Sequence, residues 1–293
     1  MKRTSLIIAI VMLLLPAAVF AGGSSSNTCN TRYPVVLSHG MGAQYEIAWG
    51  ITHYWNRIPD ALEDEGARVY ITSVNSMDGT VSKANQWRRQ VLEILATSGA
   101  SRVNVIGHSH GSIYTRYAMS NLGMGRYVAS HTSIAGPHRG SSIAEVVLGV
   151  IEGNIGEDIL NGLFSFLMGD TNPDTAQNLR DLSRSYMVNV FNPAVPNVGG
   201  VYYQSYAYQI KTAIGAGMFL VTWLIQLGKE GANDGLVAVN SAKWGNFRGV
   251  TSGSWWAGVN HLMCVDMLFG ITPGFDAVGH FEGIVRDLKN RGF

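Results

Sequence analysis

Between residues 33 and 135, short apolar runs alternate with segments whose apolar positions follow a helical period. Residues 34–39, 68–74, 102–106 and 127–135 are the short runs and predict strands. Residues 54–65, with Trp55, Ile58, Ala61 and Leu62 on one face, predict a helix. So do 82–97, with Trp87, Val91 and Leu95 apolar and Ser98-Gly99 as the stop, and 111–122. Strands and helices alternating at this spacing specify βαβ units, a mostly parallel central sheet with helices on both faces, and hence the α/β class.

Beyond Gly140 the alternation stops. Residues 141–168 place Ile143, Val146, Val147, Val150, Ile151, Ile159, Leu163, Phe166 and Leu167 at helical spacing, broken by glycines. Their acids Glu145, Glu152, Glu157 and Asp158 argue against a membrane span. Residues 212–228 form a second apolar segment with no charge between Lys211 and Lys229, slightly short for a bilayer. Strands resume at 201–208 and 236–239, residues 253–258 can run as a last strand, and an amphipathic helix over 275–290 closes the chain.

Composition narrows the function. Charged residues are only 14% of the 293, glycines number 35, and the formal net charge is +1 with no basic run, which excludes a disordered chain and a nucleic-acid binder. Lys2 and Arg3 precede an apolar stretch over 6–20, and Val19-Phe20-Ala21 fits a signal-peptidase site. Residues 1–21 therefore read as a cleaved signal peptide and 22–293 as one domain, secreted by way of the periplasm; an uncleaved anchor is the alternative. Loss of Lys2 and Arg3 takes the net charge to −1. Export implies an oxidising compartment, where Cys29 and Cys264 either form a disulfide or remain two buried thiols.

The chemistry lies in Gly107-His108-Ser109-His110-Gly111, a G-x-S-x-G between a predicted strand and a predicted helix. That context is a nucleophile elbow, in which flanking small residues let the backbone bend and lift the serine hydroxyl clear. A serine hydroxyl needs a base and a group that orients the base. His110 lies inside the elbow, His131 inside a strand, His138 too soon after it, and His280 within the last helix, which leaves His261. Glu145, Glu152, Glu157 and Asp158 read as a solvated helix face, and Asp170, Asp174 and Asp181 as its polar tail. Asp234, in a turn beside an apolar run, is the chosen acid. Backbone N–H groups of His110 and Met41, the latter in His39-Gly40-Met41-Gly42, are the expected oxyanion donors.

These motifs, with Pro34 to Met41, Gly136-Pro137-His138-Arg139-Gly140, Asn233-Asp234-Gly235-Leu236-Val237 and Asn260-His261-Leu262, together resemble the secreted bacterial true lipases of the Pseudomonas, Burkholderia and Proteus type, over about residues 33–293. The resemblance implies an α/β-hydrolase fold whose sheet lacks the first two strands of the larger fold, and triacylglycerol hydrolysis. It also implies a mobile helical lid within 141–190, with 212–230 as a second insertion. It implies one structural calcium near the catalytic histidine too, and here the sequence departs: Met263 and Met267 stand where the motif has an acid and an amide, and 212–228 lacks the usual aspartate. Calcium takes about six to eight hard oxygens, so no cofactor and no such calcium site is expected, with Asp266 as a remnant.

Two Gly-punctuated apolar segments suit a lid and its partner, with Leu163, Phe164, Phe166, Leu167, Phe219, Trp223 and Leu224 as an acyl groove; two permanently buried core helices are the alternative. The expected activity is Ser-His-Asp hydrolysis of triacylglycerol, or of another ester, at a lipid–water interface. A carboxylesterase or polyester depolymerase on shorter esters is the alternative within the class, and a noncatalytic binding protein on a hydrolase scaffold lies outside it. A dedicated folding chaperone is a candidate partner.

Overall fold

A computed structural model describes residues 27–41, 46–47, 52–151, 174–251, 253–267 and 270–293. Strands β1 (Val35–Ser38), β4 (Val69–Thr72), β5 (Val103–His108), β6 (Val128–Ile134), β7 (Tyr202–Tyr208) and β8 (Asn246–Thr251) form one six-stranded sheet in the order β4-β1-β5-β6-β7-β8. All five pairings are parallel. A separate antiparallel pair, β2 (Glu46–Ile47) with β3 (Thr52–His53), follows β1.

Burial on both faces explains why the central strands lack an apolar–polar alternation. All four residues of β1 are buried. Val35 and Leu37 face the cluster that holds Ile58 and Leu62 of α1 (Ile58–Asp64) with Phe281, Ile284 and Val285 of α7 (Ala277–Asn290). Val36 faces the opposite cluster, with Trp87 and Val91 of α2 (Thr80–Ser98) and Tyr114 and Ala118 of α3 (Gly111–Asn121). Polar residues inside β5 to β7 pair across strands: Ser130 Oγ donates to Asn104 Oδ1 at 2.8 Å and Gln204 Nε2 to Thr132 Oγ1 at 2.9 Å. Edge strand β8 alone alternates exposed with half-buried residues.

Edge strand β8 was not expected from the sequence, and three expected elements differ, each for a local reason. Helix α1 begins at Ile58 rather than 54, with Pro59 in its first turn, the part of a helix that tolerates a residue without an N–H. Residues 236–239 are not a strand. Asp234 Oδ1 accepts the N–H groups of Leu236 and Val237 at 3.0 and 2.7 Å, which turns the chain into one helical turn at Val239–Ala242. Residues 253–258 are also not a strand, because Gly253 and Gly258 both take positive φ and the last strand has ended at Thr251.

After Gly140 come α4 (Ser142–Ile151), α5 (Asp174–Asp181) and an irregular helical run to Ala194. Residues 212–228 become a helical turn at Ala213–Ala216, a 3-10 turn, and α6 (Leu220–Glu230). α6 turns Leu220, Val221, Leu224 and Leu227 outward, so this segment is not a buried core helix. The expected signal peptide and residues 152–173 of the expected lid lie outside the described residues. No helix among the described residues is long and apolar enough to cross a membrane.

Candidate active site

The chain runs from β1 out to β4 and returns to β5 on the other side of β1, so the strand order reverses between β1 and β5. Crevices at the carboxyl ends of strands beside such a reversal are where open α/β sheets bind ligands. His39-Gly40-Met41 leaves β1 there, and Ser109 leaves β5.

Ser109 has φ 55°, left-handed for a non-glycine residue, and the elbow around it is packed backbone to backbone. A Cβ on Gly107 would lie 2.7 Å from Ser112 N, and one on Gly111 would lie 2.1 Å from Ser38 O. Ser109 N donates to Ile134 O at 2.9 Å, tying the elbow to β6. His110 caps α3, whose dipole favours negative charge at that end.

Asp234 and His261 come together. His261 Nδ1 lies 2.8 Å from Asp234 Oδ2, both side chains are almost fully buried, and His261 N donates to Asp234 O at 2.9 Å. With Asp234 Oδ1 already holding two N–H groups, the carboxylate is fixed at both oxygens. Ser109 and His261 both line one cavity. Its wall is apolar, including Met41, Pro137, Ile143, Val147, Leu179, Leu182, Leu236 and Met267.

The acyl-groove residues expected from the sequence are largely elsewhere. Phe219 is sealed in the core, Leu224 points outward, and Leu163, Phe164, Phe166 and Leu167 lie outside the described residues. The rejected histidines have other partners: His131 faces Thr115, His138 faces Arg116 and Ser133, and His280 faces Tyr208. Asp181 is no part of this centre, since it accepts Thr80 N at 2.7 Å and caps α2.

Two buried networks beside the cavity bring in Tyr54, His108, Cys264 and Lys83, which the sequence did not mark as site residues. Gly40 N donates to Tyr54 Oη, and Tyr54 donates to His108 Nδ1. His108 must then carry its proton on Nε2, which lies 3.3 Å from Cys264 Sγ, and Cys264 donates to His261 O at 3.1 Å. One directed chain thus runs from the loop after β1 to the backbone of His261, and burial keeps His108 neutral by holding its pKa well below the usual value. In the second network Lys83 Nζ meets His110 Nδ1 at 3.0 Å and Ser76 O at 2.7 Å, while His110 Nε2 meets Thr80 Oγ1 at 2.8 Å. Desolvation lowers the Lys83 pKa to about 7, against the pull of Asp78 and Asp181.

Both thiols are free and buried, so the bridge between Cys29 and Cys264 is not formed. Cys29 bonds the Glu282 carbonyl on α7, whereas Cys264 is engaged with His108 and His261. The residues after His261 do not fit calcium. Met263 and Met267 are apolar and buried, and Asp266 is taken by Arg57 and Asn56. Among the described residues no group of three or more His, Cys, Asp or Glu side chains could hold a metal ion.

The parallel sheet and its elbow have the α/β-hydrolase fold. Solved structures agree on that fold: a mature lipase of Bacillus licheniformis superposes with TM-score 0.65 at 18% identity over 86% of this chain and 91% of that one. A metagenomic carboxyl esterase gives 0.66 at 16% over 92% and 77%. The family described as palmitoyl protein thioesterase matches residues 34–192, more than half of the chain, and the chain belongs to it. Among curated proteins it is similar to a triacylglycerol lipase of Vibrio cholerae, 38% identical over 164 residues, covering 54% of this chain and 51% of that one. It is also similar to a triacylglycerol lipase of Burkholderia plantarii, 37% identical over 146 residues, covering 49% and 39%. The matched stretch spans about half the length of the first relative and less of the second.

Proposed function

We propose that this protein is a serine ester hydrolase acting on triacylglycerols at a lipid–water interface. The observation that carries the reading is that the strained Ser109 and the Asp234–His261 pair open onto one apolar cavity. His261 takes the Ser109 proton as the hydroxyl oxygen attacks the ester carbonyl. Asp234 holds the imidazole with Nε2 free and stabilises the imidazolium without taking the proton. The carbonyl oxygen, now an anion, meets the N–H groups of Met41 and His110. His261 returns the proton to the leaving alcohol, and a water repeats the sequence to free the fatty acid and regenerate Ser109.

The curated relatives are named triacylglycerol lipases, and the apolar wall suits an acyl chain. Export behind a signal over residues 1–21 and a helical lid within 141–190 belong to the same proposal. The family description also brings long-chain acyl thioesters into view, since the same acyl-enzyme chemistry cleaves them.

The test is hydrolysis of short- and long-chain triglyceride emulsions, with a palmitoyl thioester alongside, by wild type and Ser109→Ala. The expected result is long-chain emulsion activity that falls by at least about 10⁴-fold in the variant. Activity confined to soluble short esters would make the protein a carboxylesterase, activity on the thioester alone would move the substrate class, and equal rates in the two proteins would remove the serine mechanism.

A further inference from the structure

We propose that the Arg57 guanidinium is a built-in cation that positions the loop carrying His261, in the place where a divalent metal would otherwise brace it. The inference rests on the reading of His261 as the base.

After His261 the chain makes a 3-10 turn at Met263–Val265 and then places Asp266 at φ 62°, a left-handed conformation that a non-glycine residue holds only when its surroundings enforce it. The turn is laced by backbone bonds from Asp266 N to Met263 O, Met267 N to Leu262 O and Gly270 N to Asp266 O. Its one charged side chain, Asp266, is fully buried, and a carboxylate in that setting needs a cation or a set of donors. Arg57 supplies both: Nε reaches Oδ2 at 2.8 Å and Nη2 reaches Oδ1 at 2.7 Å, the two-pronged geometry a guanidinium shares with a carboxylate. Asn56 Nδ2 adds a bond to Oδ2 at 3.0 Å.

Gly270 closes the clamp. A Cβ there would stand 3.0–3.1 Å from three guanidinium atoms, so the bare backbone lies against the cation. Arg57 and Asn56 are in turn fixed by the start of α1, and α1 packs on α7. The guanidinium therefore joins the His261 loop to the helical layer behind the sheet. On the other side of the same loop Cys264 bonds the His261 carbonyl. With three donors on the Asp266 carboxylate, and sulfur or methyl groups at Met263 and Met267, the loop offers a guanidinium what it denies a hard divalent ion.

The test uses wild type, Arg57→Ala, Arg57→Lys and Asp266→Asn, with p-nitrophenyl butyrate kinetics, thermal melts and fluorophosphonate labelling. EDTA leaves wild-type kcat unchanged, and calcium chloride shifts no melting temperature. Arg57→Ala melts cooperatively yet loses kcat by about 10- to 100-fold, a larger change than in KM, because the base is misplaced while only Leu262 and Met267 of the cavity wall move with it. Arg57→Lys recovers part of the loss, since an ammonium cannot fork. The Arg57 side chain is 59% exposed, so methylguanidinium reaches its place and restores kcat in Arg57→Ala, whereas calcium does not. The inference is overturned if Arg57→Ala keeps wild-type kcat, or if EDTA silences the wild type and calcium revives it. The EDTA arm decides even if the variants do not fold. A wild type that neither labels nor hydrolyses would instead overturn the serine reading beneath it, and the inference with it.

Discussion

At the scale of single residues the site is held by contacts too tight to relax. The Cβ of a Gly111→Ala variant would meet the Ser38 carbonyl oxygen at 2.1 Å, and both neighbours are backbone, so neither side can yield. We predict destabilisation of at least about 2 kcal/mol, read by chemical denaturation, with the surviving folded protein inactive. Asp234→Asn keeps the shape of the turn but leaves His261 in the wrong tautomer. It should lower kcat by about 10³- to 10⁴-fold with little change in KM. The elbow at Ser109 is written in adjacent residues, Asp234 stands out as a turn residue beside an apolar run, and His261 by elimination of the other histidines; the structure pairs Asp234 with His261. Arg57 was not legible, because its partner Asp266 lies 209 residues away, and neither was Cys264, 156 residues from His108. For the thiols, Ellman's reagent should find none in the native protein and both after denaturation without reductant; finding neither in denaturant would restore the bridge.

At the scale of elements, period located β1, β4 to β7 and the helices between them, missed edge strand β8, and failed where side chains redirect the backbone. Residues 236–239 have the apolar content of a strand, yet the Asp234 carboxylate captures their N–H groups first. Lys83 shows a signal that could have been used. It stands at helical spacing with Trp87, Val91 and Leu95 on the buried face of α2, and a cation in that register marks a buried polar contact. The outward face of α6 is the converse case, apolar residues where solvent should select polar ones. Replacing Leu220, Leu224 and Leu227 by Gln should leave kcat on a soluble ester within about twofold, because none of them lines the cavity. The same variant should bind a triglyceride emulsion measurably less in a sedimentation assay; unchanged adsorption would remove α6 from the interface.

For the whole molecule, stability should carry the signature of the buried lysine. The Lys83 pKa is about 7 in the folded protein against 10.5 when unperturbed, so between those values the unfolded chain binds more protons. Its contribution to stability therefore rises with pH across that window, being least where the folded protein must bury the charged form. The melting temperature of wild type minus that of Lys83→Met should increase from the bottom of the window to the top, and a flat difference would show that Lys83 is not so perturbed. The order of the sheet was readable only as a class from the alternation of elements, because strand order depends on long-range pairing. The switch between β1 and β5, which brings Met41 beside Ser109, became visible only in the fold. The central claim is that this switch point holds one activated serine. It is tested most directly by treating the wild type with a fluorophosphonate probe and mapping the adduct by peptide mass spectrometry. The account predicts a single adduct on Ser109, absent from Ser109→Ala and much slowed in Asp234→Asn. An unlabelled native protein, or an adduct on another residue, would contradict it.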